Sequence, residues 1–227
     1  MIKDNLSNII KELPSEVKLV AVSKFHPVEA IVEAFEAGQK VFGESRPQEF
    51  EKKVQWLAAN RNDILEEAEF QFIGHLQTNK LKMVLPYVSL VQSVDSVHLL
   101  EEINKWGRDN GKTTDILLEM HLGAEETKQG FSEDELLDLM FRVSDGKFPN
   151  VRVCGLMGMA TNTDDEETID ADFERIDSFM AYLVDLFPEL DCFNQLSIGM
   201  SGDYKEALNH GSTMVRIGTA IFGERNY

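Results

Sequence analysis

A lysine stands near the end of the first apolar run of the chain, where a charged residue is unusual. Side chains alternate along a strand, so Val20, Val22 and Lys24 share one side of the run VKLVAVSKF. Apolar surroundings disfavour the charged form of an amine, and an uncharged amine can form a Schiff base with an aldehyde. The pattern is compatible with a nucleophilic Lys24, and also with a lysine whose stem lies on a rim with its ammonium in water.

An arginine has a similarly unusual place in the last apolar run. Arg216 lies between Val215 and Ile217, on the same face as Met214 and Gly218. A permanent cation is costly to bury without an acceptor. Arg216 therefore either pairs with a carboxylate or faces a polar ligand.

Two groups of small residues could hold an anion. Ser201 and Gly202 precede the short predicted helix DYKEALNHG, which Ser201 is placed to cap, and Gly218 and Thr219 follow Arg216. Free N–H groups at helix starts attract anions, although a serine before a helix is also an ordinary cap. The two groups together predict a phosphate site.

Other polar residues carry weaker signals. His75 could face the same site as Lys24, but a histidine in this setting is more often structural, with its ring hydrogen-bonded inside the protein. Glu44 is most simply explained as a member of an interior ion pair. Cys154 and Cys192 fit no metal or redox spacing, and no HxH or HxxxH pair occurs, so no metal site is predicted.

Strand-like and helix-like segments alternate along the whole chain. The strand-like runs cover residues 17–25, 40–45, 69–74, 88–94, 114–122, 151–159, 193–200 and 213–223. Helical spacing is clear over residues 28–37, 97–110, 134–143 and 172–187. The segment 2–13 is also helical, and it can supply the eighth outer helix because none is predicted after the last strand.

Eight such units predict an α/β fold, a single-domain (β/α)8 TIM barrel over residues 1–227 with a helix before strand one. A doubly wound open sheet is the alternative, but no GxGxxG follows the first strand. Barrels place their sites at the carboxyl ends of the strands and often hold phosphate after strands seven and eight. Lys24, Ser201, Gly218 and Thr219 should therefore meet at this mouth.

Charge excludes two classes of partner. With 22 basic against 40 acidic residues the formal charge is −18, and such a surface repels nucleic-acid phosphates and anionic lipids. The sequence shows neither an apolar signal peptide nor a membrane-spanning apolar run. We therefore predict a cytoplasmic protein.

Several motifs together resemble the pyridoxal 5′-phosphate (PLP) homeostasis protein family, whose members are similar to the N-terminal barrel domain of alanine racemase. The motifs are AVSKFHP, VFGESRPQEF, FIGHLQTNK, VQSVDS, EETKQGF, GLMGM and LSIGMSGDYKEALNHGSTMVRIGTAIFGER. The resemblance implies that Lys24 forms a Schiff base with PLP and that Ser201, Gly218 and Thr219 hold the phosphate. It also implies that Arg216 faces the pyridine nitrogen and keeps it unprotonated, which makes the ring a poor electron sink.

One position departs from the family pattern. The family commonly has FGEN after strand two, with the asparagine near the cofactor, whereas this chain has FGES. Ser45 has a shorter reach and lacks the amide pair. We predict that Ser45 contacts the cofactor, with a contact through water as one alternative.

The resemblance implies a non-catalytic protein that stores PLP or delivers it to apo-enzymes, and so affects amino-acid and keto-acid balance. We also expect a monomer, because the added domain that forms the usual racemase dimer contact is missing. The rival interpretation is a PLP-dependent amino-acid racemase, which needs bases on both faces of the substrate. Lys24 could serve one face. Alanine racemase takes its second base, a tyrosine, from an added domain of the partner subunit. This chain ends without such a domain, and its four tyrosines (Tyr87, Tyr182, Tyr204 and Tyr227) fit no such role. Weak racemase activity and a barrel that signals PLP to other proteins both stay open.

Overall fold

Eight parallel strands close into a barrel in which each strand pairs with its neighbours in chain order and β8 pairs with β1. The structure is a computed structural model that describes residues 1–123 and 129–224. The strands are β1 (Lys18–Val22), β2 (Val41–Glu44), β3 (Glu69–Phe72), β4 (Leu90–Val94), β5 (Thr114–Met120), β6 (Val151–Gly158), β7 (Gln195–Met200) and β8 (Met214–Ile217). The predicted (β/α)8 barrel is confirmed.

The helices lie outside this barrel. They are α1 (Ile2–Glu12), α2 (Val28–Glu36), α3 (Pro47–Asn60), α4 (Asn62–Glu67), α5 (Leu81–Val84), α6 (Val97–Asn110), α7 (Glu133–Ser144), α8 (Glu166–Leu186), α9 (Tyr204–Ala207) and α10 (Thr219–Phe222). A 3₁₀ turn over Thr78–Lys80 precedes α5. Helix α1 precedes strand one as predicted. No helix in the described ranges has the length and apolarity needed to cross a membrane.

Strand side chains alternate between two cores, as the parallel pattern predicts. The smaller core fills the barrel interior and contains Val20, Leu90, Leu117, Cys154, Met157 and Met214. The larger core lies between the strands and the helices, where Leu19 and Ala21 of β1 contribute. Val20 and Val22 therefore point toward the barrel axis, which places the residues after β1 at the mouth.

The first and last strands are shorter than predicted. Strand β1 ends at Val22, and Lys24 lies in a turn that the His26 N–H closes by donating to the Ser23 carbonyl at 3.1 Å. Strand β8 ends at Ile217, and the residues predicted to extend it form α10 instead. Apolar runs do not reveal where a strand gives way to a turn, because turn and strand can share the same apolar side chains.

The prediction that no helix follows the last strand is therefore wrong. The Gly218 carbonyl accepts the N–H groups of Ile221 and Phe222 at 2.9 Å, which starts the short α10. The Asn5 side chain of α1 donates to the Ile221 carbonyl at 2.9 Å. Helix α1 thus packs beside α10 and does not take its place. Helix α8 also begins six residues earlier than the predicted start at 172, because Glu166 and Glu167 in its first turn suit a helix start.

Candidate functional site

A cavity of about 210 Å³ opens at the carboxyl ends of the strands. It is lined by Val22, Lys24, Ile73, Met159, Met200, Ser201, Gly202, Arg216, Gly218 and Thr219. Five of the six residues predicted to contact a cofactor are in this lining: Lys24, Ser201, Arg216, Gly218 and Thr219. Residues about 190 positions apart in the chain meet here because β8 pairs with β1.

Ser45 does not line this cavity. It follows β2 and packs against Gly74, where an added Cβ would lie 2.4 Å from the Ser45 carbonyl oxygen. The contact of Ser45 with a cofactor stays a prediction.

Arg216 is almost completely buried, with 5% of its surface exposed. Its Nη1 donates to the Ser197 carbonyl at 2.7 Å and to the Ser197 hydroxyl at 2.6 Å, and its Nη2 donates to the Gly158 carbonyl at 2.9 Å. Burial lowers the pKa of Arg216 to about 10, against the opposing influence of Glu119 and Asp203. Within the described ranges the guanidinium is held by carbonyl and hydroxyl oxygens, and no carboxylate forms an ion pair with it.

A chain of buried polar side chains continues from Arg216 into the barrel interior. The Ser197 hydroxyl donates to Gln92 Oε1 at 2.7 Å, and Gln92 Nε2 donates to Gln71 Oε1 at 2.5 Å. Ser197, Gln92 and Gln71 are each at most 1% exposed. Because a fixed network of this kind restricts rotation, it sets the direction in which the Arg216 guanidinium points. No local pattern predicts this chain of polar side chains, since its members lie on β3, β4, β7 and β8.

The loops after β7 and β8 touch each other across the cavity. The Gly218 N–H donates to Ser201 Oγ at 3.3 Å. The predicted capping of the next helix by Ser201 is wrong, because α9 begins at Tyr204 and its N-cap is Asp203. Asp203 accepts the Met200 N–H at 2.5 Å, and this contact closes the loop around Ser201. Ser201 itself lines the cavity.

Glu44 forms an ion pair, as the sequence suggested, but not inside the barrel. Its Oε1 lies 2.6 Å from Lys53 Nζ of α3, so the pair is between the sheet and a helix. Phe42, two residues earlier, belongs to the same outer core. Burial raises the pKa of Glu44 in spite of Lys53.

Two further groups lie at or near the mouth. His75 Nδ1 lies 2.9 Å from Asp95 Oδ2, so the ring has a hydrogen-bond partner within the protein. This agrees with the interpretation of His75 as a structural histidine. Glu119 of β5 is 5% exposed, and burial together with Asp95 raises its pKa to about 7, against the attraction of Arg216. The first four residues of the motif EETKQGF, 125–128, lie outside the described residues.

Comparison with known proteins gives matches over nearly the whole chain. The family model described as alanine racemase, N-terminal domain, matches residues 1–226. A pyridoxal phosphate homeostasis protein of Vibrio alginolyticus is 39% identical over 94% of this chain and 89% of its own length.

Solved structures agree with this match. PipY of Synechococcus elongatus PCC7942, solved with PLP bound, has a TM-score of 0.89 at 31% identity and covers 98% of this chain and 100% of PipY. An alanine racemase of Clostridium difficile 630 has a TM-score of 0.77 at 15% identity, covering 100% of this chain and 57% of the racemase. At that identity the racemase shows a shared fold alone.

Proposed function

The chain belongs to the alanine racemase N-terminal domain family and, within it, to the pyridoxal phosphate homeostasis proteins, and on this premise we propose that it binds PLP in the mouth cavity and acts in PLP homeostasis. The observation that carries the proposal is the convergence of five predicted residues on one cavity. The homeostasis protein of Vibrio alginolyticus and PipY with its bound PLP support it.

The donor set of the cavity fits the chemical groups of PLP. PLP brings a reactive aldehyde, which a lysine amine can hold covalently with loss of water. Lys24 is the only amine in the described lining. The hydroxyls of Ser201 and Thr219 would hold the phosphate, and the Gly218 N–H would join them by exchanging its 3.3 Å bond to Ser201 Oγ for a phosphate oxygen. Phosphate is recognised by such donors in loops after strands seven and eight. A lysine and a phosphate cradle in one cavity give the two attachment points that PLP needs.

Arg216 favours retention of the cofactor over turnover of amino acids. Its guanidinium is held by Ser197 and Gly158, and it borders the cavity as a permanent donor. A cation that donates to the ring nitrogen opposes protonation of that nitrogen and weakens the ring as an electron sink. Amino-acid chemistry on PLP depends on this sink, so the site supports storage better than catalysis.

A second base for racemisation is not evident in the described ranges. The cavity lining there contains neither tyrosine nor histidine. Tyr204 donates its hydroxyl to Glu12 Oε2 at 2.6 Å on the outside of the barrel. Tyr227 lies outside the described residues. The lining therefore offers Lys24 for one face of a substrate and no partner for the other, which disfavours the racemase alternative.

The remaining parts of the proposal rest on the sequence and on the family resemblance. They are one PLP-binding domain over residues 1–227, a monomeric state, a place in the cytoplasm, delivery of PLP to apo-enzymes, and an influence on amino-acid and keto-acid balance. The alternative function, a regulatory protein that signals PLP to other proteins, would use the same cavity. Transfer of PLP to an apo-enzyme, measured by recovery of that enzyme's activity, separates delivery from signalling.

Absorbance spectroscopy tests the binding site. The protein saturated with PLP should show the visible band of lysine-linked PLP, and Lys24→Ala should abolish it. Lys80→Ala is the matched control, since Lys80 lies outside the cavity lining, and it should keep the band. A Lys24→Ala protein with an unchanged band would refute the proposed attachment.

Deuterium exchange separates storage from racemisation. With saturating PLP in deuterated water, L-alanine should exchange its α-proton negligibly, because a missing general base usually costs about 10²–10⁴-fold in rate. Brisk exchange with appearance of D-alanine, lost in Lys24→Ala, would establish a racemase instead.

A further inference from the structure

The residue directly after Lys24 adopts a backbone conformation that side chains disfavour. Phe25 has a φ of +66°, and it is the only non-glycine residue with a positive φ among residues 1–123 and 129–224. A residue with a Cβ pays a steric cost in this region, and such conformations persist only where the surroundings enforce them. The turn that carries Lys24 is therefore held by its neighbours.

Helix α3 provides the contacts that hold this turn. Glu49 Oε1 accepts the Phe25 N–H at 2.8 Å, and the Arg46 guanidinium, in the residue before α3, lies 4.2 Å from the centre of the Phe25 ring. On the other side of Lys24, Lys53 Nζ donates to the Ser23 carbonyl at 2.9 Å. Both residues that flank Lys24 are thus fixed to side chains of one helix.

Burial makes this arrangement rigid. The Lys53 side chain is 6% exposed, and its Nζ lies 2.6 Å from Glu44 Oε1 and 2.7 Å from Glu49 Oε1. Glu44 Oε1 also accepts the Ser23 hydroxyl at 2.7 Å. A buried lysine between two carboxylates leaves each group few alternative partners. Glu49 is consequently kept where its oxygen meets the Phe25 amide.

We infer that Glu49 is a positioning residue for Lys24, one that holds the left-handed turn and so directs the Lys24 amine into the cavity. Glu49 does not line that cavity, and it acts through the Phe25 backbone. Without the acceptor, Phe25 can relax toward a negative φ, and the amine leaves the position where an aldehyde would be held. This inference rests on the proposed PLP function.

Three substitutions of Glu49 separate the acceptor from its charge. Glu49→Ala removes both. Glu49→Gln keeps an oxygen for the Phe25 amide without the charge, and Glu49→Asp keeps the charge beside Lys53 but withdraws the oxygen. Glu51→Ala is the matched control, because Glu51 lies on the same helix and, among the residues that the structure describes, its carboxylate forms no hydrogen bond or ion pair with the turn.

The first measurement is amide hydrogen exchange in the protein without PLP. The Phe25 amide should exchange roughly tenfold faster or more in Glu49→Ala and Glu49→Asp, as expected when a hydrogen bond to a charged group is lost. Glu49→Gln and Glu51→Ala should exchange like the wild type. Unchanged exchange in Glu49→Ala would overturn the anchoring role whatever the protein binds.

The second measurement compares covalent and non-covalent binding. In the reaction the Lys24 amine bonds to the aldehyde carbon of PLP, and the aldehyde oxygen leaves as water with two amine protons. Glu49→Ala and Glu49→Asp should slow the rise of the visible band roughly 10–100-fold. Their affinity for pyridoxine 5′-phosphate, which has the ring and phosphate but no aldehyde, should stay within about twofold of wild type.

The outcomes distinguish this inference from the proposed function. Equal losses for PLP and pyridoxine 5′-phosphate would mean general damage to the site and would overturn the positioning role. Glu49→Gln as slow as Glu49→Ala would overturn the part played by the acceptor. A wild-type protein that gives no visible band would refute the proposed function, while hydrogen exchange at Phe25 would still decide the anchoring. Glu49→Asp keeps both tests available if Glu49→Ala fails to fold.

Discussion

Ser197 links the buried Arg216 to the polar chain in the barrel interior, and its removal should be costly. The serine is fully buried, and its hydroxyl accepts from Arg216 Nη1 at 2.6 Å while it donates to Gln92 Oε1 at 2.7 Å. Ser197→Ala therefore removes both hydrogen bonds of a fully buried hydroxyl.

The expected loss of stability depends on how well Arg216 and Gln92 remain hydrogen-bonded after the substitution. A hydrogen bond to a charged group contributes about 1.5–3 kcal/mol, and a buried acceptor left unsatisfied costs about 1–3 kcal/mol. Arg216 keeps the carbonyls of Ser197 and Gly158, so the lower ends of these ranges apply. We expect Ser197→Ala to reduce the free energy of unfolding by about 2–4 kcal/mol, a large part of the roughly 5–15 kcal/mol that a domain has.

Equilibrium unfolding in urea measures this loss in the protein without PLP. Ser212→Ala is the matched control, because Ser212 is also buried but its hydroxyl donates only to the backbone carbonyls of Ile198 and Met214. The control should lose about 1 kcal/mol, the usual net contribution of a neutral hydrogen bond. Equal losses for the two variants would refute the idea that Ser197 orders the cation and the glutamine together.

Two further predictions concern the mouth. Thr219→Val should weaken PLP binding about 10- to 100-fold more than pyridoxal binding in absorbance titrations, because the lost hydroxyl would serve the phosphate; equal losses would place Thr219 away from it. Glu119 has its pKa raised from 4.5 to about 7, so its contribution to stability is fully present below pH 4.5 and is lost as the pH rises through about 7. Between pH 5 and pH 8 the free energy of unfolding in urea should therefore fall by about 2–3 kcal/mol more in the wild type than in Glu119→Gln. If the free energies of unfolding of the two proteins changed in parallel with pH, the raised pKa would be contradicted.

Much of the fold could be predicted because parallel strands are buried on both faces and appear as apolar runs. The eight runs gave the strand count and order, and the alternation of Val20, Val22 and Lys24 placed Lys24 at the mouth. The ends of β1 and β8 were not predictable from the same signal. Phe25 and Ile221 are apolar in a turn and in a helix, respectively, so the runs continued past the true strand ends.

The side-chain partners of the site were largely hidden from the sequence. Ser197 and Gln92 are ordinary polar residues in apolar runs, and nothing in their local pattern indicates a bond across the barrel. The contacts of Lys53 were equally hidden, since its three partners come from the residue after β1, from β2 and from α3. The predicted capping by Ser201 failed because Asp203, two residues later, is the N-cap. Such contacts depend on barrel closure and register, which single-strand patterns do not contain.

Borohydride reduction followed by peptide mass mapping tests the attachment of PLP most directly. The reducing agent fixes lysine-linked PLP as a stable secondary amine, so the modified peptide identifies the lysine. The predicted result is a single pyridoxyl label on the peptide that contains Lys24, with no label in Lys24→Ala. A label on Lys80 or Lys82, which lie outside the lining of the mouth cavity, would contradict the site and the function proposed for it.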